Sequence, residues 1–258
     1  MTLLRKTLAL LIVALFMVPL LWLVYSAFIA PDALFSGGSP LTLKLNFDNF
    51  RALENYNLFK PLLTSLLASS AVVCFQLLFG LPAAYSLRAG TPLLAVFLFA
   101  LSIPAELLLV PLYGLLQSLH LLGSPLALVI PFVNSPFTVF LLYQGMLKLP
   151  WAYTEAARID GASELRILFG VVAPLLRPEL AAAGVIAFAA HWNLVLYPKV
   201  VSGEAWPTVQ VALADLISKA GNNWGLLGAA ALVTSLPIVV LYFSFERQVV
   251  KTFDGGLK

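Results

Sequence analysis

The chain has 258 residues, only 15 of them Lys or Arg and 12 Asp or Glu, so 10% are charged while 61% are apolar. An ordinary soluble domain carries about 25% charge, and so few charges do not cover a water-facing surface; disulfide scaffolds, disordered tails and nucleic-acid binders are disfavoured together. The single Cys74 excludes an internal disulfide and a cysteine-cluster metal site, and the net charge of +3 is too small to name an anionic partner.

Crossing a bilayer core of about 30 Å takes roughly 20 apolar residues at 1.5 Å each. Charge-free intervals of that length are therefore read as spans. The first lies between Lys6 and Asp32, and its apolar run is longer than the ~7–15 residues of a signal-peptide core, so a retained helix is expected. A connection containing Ser-Gly-Gly-Ser-Pro follows, then the amphipathic stretch LNFDNFRALENYNLF. The second span lies between Lys60 and Arg88. The third runs from Ala89 to Leu119, interrupted by Pro104, Glu106 and Pro111. A short His-Leu-Leu-Gly-Ser turn leads to the fourth, Pro125 to Leu147. The fifth, Leu180 to Pro198, is followed by a connection over residues 199–223 with a Gly-Asn-Asn turn signal, and the sixth runs from Trp224 to Phe245.

Six spans place both termini on one side. That side receives ten of the 15 cations, Arg88, Arg247 and Lys251 among them as ordinary flanks, and is therefore cytoplasmic by the positive-inside rule. The expected fold is all-α: a polytopic membrane protein of six transmembrane helices with both termini cytoplasmic.

Between the fourth and fifth spans lies the cytoplasmic loop 148–178, KLPWAYTEAARIDGASELRILFGVVAPLLRP. Thr154 to Asp160 is rich in helix formers, Gly161 sits where a left-handed C-terminal turn belongs, and Ser163-Glu164 offers a cap and an acidic first turn for a second short helix. Pro174 and Pro178 close it. Small Ala156 and Ala157 allow close approach of another surface, with Glu155, Arg158 and Asp160 supplying charge around it. Taken by composition alone, such a loop reads first as an amphipathic segment resting on lipid headgroups.

Glu155-Ala156-Ala157, three residues and then Gly161 resemble the EAA signature of binding-protein-dependent ABC importer permeases. The family pattern continues after nine residues as Ile-x-Leu-Pro; here Val171-Val172-Ala173-Pro174 keeps the proline and replaces Leu by Ala. The longer EAARIDGAS, the run IPAELLLVPLYGLLQSLHLLGS, the segment SPFTVFLLYQ, the Trp-Asn of His191-Trp192-Asn193 and the closing GGLK resemble the carbohydrate-importer branch, similar to the maltose-type second permease. This resemblance covers nearly the whole chain. It implies the type I importer permease fold, a bacterial or archaeal cytoplasmic (inner) membrane, and an organisation into an N-terminal helix and external loop (1–56), a permease domain (57–247) and a cytoplasmic tail (248–258). It further implies that Glu155, Ala156, Ala157, Asp160, Gly161 and Pro174 form a coupling element docking on an ATPase. The implied partners are a second permease, for which the branch favours a different chain, two ATP-binding cassette subunits, an extracytoplasmic solute-binding protein and the lipid bilayer.

Four further residues are candidates for the pathway or a gate. Glu106, between Pro104 and Pro111, either lines a break in the span or lies at the outer interface where Pro104 ends it. His191 and Asn193 either offer hydrogen bonds to a polyhydroxyl solute, with Trp192 stacking on a sugar ring, or join helices to one another. Two histidines without an acidic or cysteine cluster give no metal site, and no cofactor motif is present. With no GxxxxGK[ST] phosphate loop, GxSxG elbow or HExxH pair, the chain is expected to be non-catalytic, with ATP hydrolysed on a partner. The alternative is a stand-alone secondary transporter or channel, for which only Glu106 offers an ion or proton site.

Overall fold

The structure, a computed structural model, describes residues 2–29, 46–221 and 223–254. The Ser-Gly-Gly-Ser-Pro connection, Asn222 of the Gly-Asn-Asn signal and the GGLK end lie outside the described residues. Every regular element among the described residues is helical. Three helices are long and apolar enough to cross a membrane: Arg5–Ala27, Phe59–Arg88 and Trp224–Thr252. Three more candidates are bent pairs of helices, making six only if each pair counts as one span.

The chain divides into two compact units. The first comprises residues 1–62 and 209–236. It holds α1 (Thr2–Ala27), the short α2 (Asp48–Ala52) and the 3-10 turn Leu53–Tyr56. It also contains α13 (Val209–Ala220), inside the 199–223 stretch expected to be a connection. Val209, Ala212, Leu213, Leu216 and Ile217 repeat at helical spacing there, a helix signal that precedes the Gly-Asn-Asn turn signal. Ala27, Leu53, Leu58, Leu216, Leu226, Ala229 and Ala230 form its core. The Asn49 amide is buried and donates to the carbonyls of Ala27 (3.1 Å) and Ile29 (2.7 Å), closing the last turn of α1. Gly228 admits that turn: a Cβ there would stand 3.0 Å from the Leu23 carbonyl and 3.1 Å from the Ala27 nitrogen.

The second unit comprises residues 63–208 and 237–258. Most of α3 (Phe59–Arg88) belongs to it. The third expected span is not one helix. α4 (Leu94–Leu101) stops before Pro104, whose ring forces an extended approach, and the chain resumes as a 3-10 turn (Ala105–Leu108) and α5 (Leu109–Ser118) at 92° to α4. The fourth is α6 (Pro125–Val129), a 3-10 turn (Ile130–Phe132) and α7 (Pro136–Lys148), bent by 41°. Residues 148–178 hold α8 (Ala152–Ile159) and α9 (Glu164–Ile167), which widens into a π-helical stretch over Leu168–Val172 and ends in α10 (Ala173–Leu175). An 83° bend then leads into α11 (Arg177–Trp192). Pro174 and Pro178 bracket the bend, each removing a donor from the helical ladder. α12 (Leu196–Val201) follows, and α14 (Trp224–Asp254) continues nine residues past Phe245, the expected end of the last span.

The core of this unit is built on Leu81, Ala84, Tyr85, Val139, Leu142 and Met146, with Ile167, Leu168, Val172 and Leu176 packed onto them. The second limb of the 148–178 segment is thus anchored in protein: Ile167, Leu168 and Val172 are at most 3% exposed. This packing is not that of a loop lying on a headgroup surface.

Candidate functional site: a polar corner held on an apolar frame

α8 ends as its composition predicts. Gly161 adopts φ +78°, its N–H donates to Arg158 (3.1 Å), and the Ala162 N–H reaches back to the Ala157 carbonyl (3.0 Å), the paired bonds of a Schellman motif. Ser163 then caps α9, its hydroxyl oxygen accepting from the Arg166 N–H (3.4 Å). The corner so formed is a tight reversal between two short helices.

Glu155, Ala156, Asp160 and Gly161 are exposed at this corner, as is Pro174 beyond it; Ala157 is half-buried against the core. Ile159 is 86% exposed and Leu165 69%, so the corner presents bare aliphatic side chains among its charges. Aliphatic area exposed next to charge marks the corner as an interaction surface.

Two contacts that the sequence pattern does not disclose hold the corner. Arg158 forks onto Glu164, Nε to Oε1 at 2.8 Å and Nη2 to Oε2 at 3.2 Å, and the Tyr85 hydroxyl of α3 donates to the same Glu164 Oε2 at 2.7 Å. The Arg158 guanidinium, then the Tyr85 hydroxyl, hold the Glu164 carboxyl below its ordinary pKa. At the other end of α8, the Arg88 guanidinium lies 4.8 Å over the Trp151 ring, which is also 5.7 Å from the Tyr85 ring. Arg88 is therefore not simply a flanking charge.

Deeper in the unit, the break between α6 and α7 sets a polar problem. Pro131 cannot donate to the Ala127 carbonyl, nor Pro136 to that of Phe132, and an unsatisfied carbonyl at membrane depth is costly. Tyr197 donates its hydroxyl to Ala127, and Gln76 donates to Phe132 at 3.0 Å while accepting from Thr138 at 2.8 Å. His191 is part of this arrangement. Its Nε2 faces the Leu128 carbonyl and so carries the proton, and its Nδ1 pairs with the Ser69 hydroxyl, both at 2.9 Å. Nothing in the sequence marks Gln76 or Tyr197 themselves; the signal that carbonyls need other donors here is the pair Pro131 and Pro136.

Trp192 is 1% exposed and stacks on Phe188 (5.3 Å, 20°). Asn193 is exposed at the end of α11 and donates to the Ala189 carbonyl (2.8 Å). Glu106 is exposed on the 3-10 turn after Pro104, beside Leu107 and Val110 at 69% and 80% exposure. None of these four lines the cleft found within this unit. That cleft, of about 720 Å³, runs between α3, α11 and the second half of α14. Val73, Leu77, Gly184 and Phe188 make its walls, and Ser70, Arg177, Ser244 and Gln248 supply its polar groups. Among the described residues no group of three or more His, Cys, Asp or Glu is placed to hold a metal ion.

Three long apolar helices, three bent pairs of apolar helices and a polar corner at 155–161 are the features that bear on function among the described residues. Residues 76–253 match the family model of the binding-protein-dependent transport system inner membrane component, and the chain belongs to that family. It is similar to an arabinooligosaccharides transport system permease of Halalkalibacterium halodurans (34% identical over 198 residues, covering 74% of this chain and 71% of that one). It is also similar to a diacetylchitobiose uptake system permease of Streptomyces coelicolor (32% over 250 residues, 93% and 83%). Its fold matches that of a chain from a bacterial ABC transporter involved in importing the acidic polysaccharide alginate, with a TM-score of 0.83 over 95% of both chains at 20% identity.

Proposed function

We propose that this chain is one of two permease subunits of an ATP-driven importer of a carbohydrate, delivered by an extracytoplasmic binding protein to a prokaryotic cytoplasmic membrane. It crosses the membrane six times with both termini in the cytoplasm. Residues 57–247 form the permease domain, preceded by an N-terminal helix and external loop and followed by a cytoplasmic tail. The corner at 155–161 is the part that meets an ATPase subunit. The observation that carries this reading is the corner itself: charged and aliphatic residues exposed at its tip, with a second limb anchored in the core at Ile167, Leu168 and Val172. A partner pushing on the tip therefore moves a packed element. The carbohydrate assignment is supported by the relatives, which carry arabinooligosaccharides and diacetylchitobiose in their names.

The cleft between α3, α11 and α14 is this chain's share of the pathway, to be completed by a second permease that the branch resemblance makes a different chain. Glu106, on its exposed turn among apolar neighbours, is read as a gate or partner contact, and exposed Asn193 as the pathway candidate of the 191–193 set.

Gly161→Asp and Ala157→Phe test the coupling role. The first places a side chain at φ +78°, a conformation costing L-residues about 1–2 kcal/mol; the second enlarges the small surface. Both variants are expected to insert normally into native membranes and to lose solute uptake while the co-purified complex still hydrolyses ATP. Wild-type uptake by both would overturn the coupling reading.

A further inference from the structure

The two ends of α8 are fixed to one turn of one helix. Tyr85 and Arg88 stand three residues apart in α3 and so share a face. Tyr85 hydrogen-bonds Glu164, which is forked by Arg158 at the C-terminal end of α8. Arg88 covers Trp151, the residue that precedes the first turn of α8. An element held at one point pivots, whereas one held at both ends can only move with its support. α8 is eight residues long, about 12 Å, so the two attachments lie well apart.

We infer that the last turn of α3, through Tyr85 and Arg88, is the receiver of the coupling movement, and that the Tyr85–Glu164–Arg158 clasp transmits displacement of α8 to α3. Tyr85, Arg88, Arg158 and Glu164 are positioning residues in this device. They orient the corner and carry its motion, and none needs to touch solute or nucleotide. The chemistry suits the task. A bidentate guanidinium–carboxylate pair fixes orientation as well as distance. The phenol, itself 8% exposed, joins this half-exposed pair to the helix through a part-buried bond. The cleft lies along the same helix, where Leu66, Ser70, Val73 and Leu77 of α3 line it, so a displaced α3 reshapes the cleft wall.

This inference rests on the coupling role proposed above, and the experiment separates the two. The full complex, with its ATPase and partner permease, is reconstituted in nanodiscs carrying Cys74→Ser and a reporter Ser70→Cys on α3. The rate of labelling by a membrane-impermeant maleimide is measured without nucleotide and with ATP plus vanadate. A several-fold change in labelling on adding nucleotide is expected for the parent complex. Tyr85→Phe, Arg158→Glu and Glu164→Arg should each lose most of that change while ATPase subunits still co-purify at parent stoichiometry. The double variant R158E/E164R, which rebuilds the pair with its charges exchanged, should recover it. Recovery is a result that mere loss of folding cannot give. If the single variants respond like the parent, or if the exchanged pair recovers nothing, the clasp is not the transmitter. A parent complex whose labelling ignores nucleotide overturns the coupling reading, and this inference with it.

Discussion

Gln76, His191 and Tyr197 each use a side chain to answer a main-chain carbonyl around one helix break, and their worth depends on how far the break is shielded from other donors. Interhelical hydrogen bonds in membranes contribute about 0.6–2 kcal/mol. Gln76→Leu and Tyr197→Phe are therefore each expected to cost about 1 kcal/mol, read as a lowered melting temperature of the purified protein in detergent. His191→Phe should behave likewise; loss of uptake at an unchanged melting temperature would instead assign His191 to the pathway. Glu164 makes a prediction of a different kind. Its folded-state pKa is depressed by Arg158 and then by Tyr85. The stabilisation it gives is therefore present above the ordinary carboxylate range and lost as pH falls through the lowered value. The corner should hold at neutral pH and loosen only in acid, measurable as faster proteolysis near Gly161 at low pH in the parent but not in Glu164→Gln, which is already loosened.

At the scale of elements, prolines were more legible than the shapes they produce. Pro104 announced an interruption in the third candidate span, yet not that the two limbs would turn by 92°, because that angle depends on packing and not on which donor is missing. The Gly161 corner could be read in full, since a left-handed residue, a cap and an acidic first turn are all local signals. The Tyr85 and Arg88 contacts could not, because they join residues more than sixty positions apart and nothing in either neighbourhood marks them as a pair. Helix α13 is legible in the spacing of Val209, Leu213, Leu216 and Ile217, although the nearby Gly-Asn-Asn signal points to a turn. Gly228 offers an element-scale test in the first unit. A methyl there would crowd the Leu23 carbonyl and the Ala27 nitrogen, backbone atoms with little room to yield. Gly228→Leu should destabilise the attachment of α1 by a kcal/mol or more, seen as increased protease access near residue 29.

For the molecule as a whole, shortage of charge indicated a membrane, and the few charges present mark where a water-soluble partner is expected. Proteoliposomes holding this chain alone should take up none of a panel of radiolabelled disaccharides and oligosaccharides, with or without an ion gradient. Uptake by the chain alone would favour the secondary transporter. The helix break also bears on how the chain is made. Ala127 and Leu128 precede their side-chain partners Tyr197 and His191 by 70 and 63 residues. At a synthesis rate of about 5–20 residues per second, those carbonyls wait roughly 3–14 s for the groups that satisfy them. During that interval the carbonyls around Pro131 need other donors, from water or from protein. The same break that is quiet in the finished protein is thus a timing constraint on its insertion.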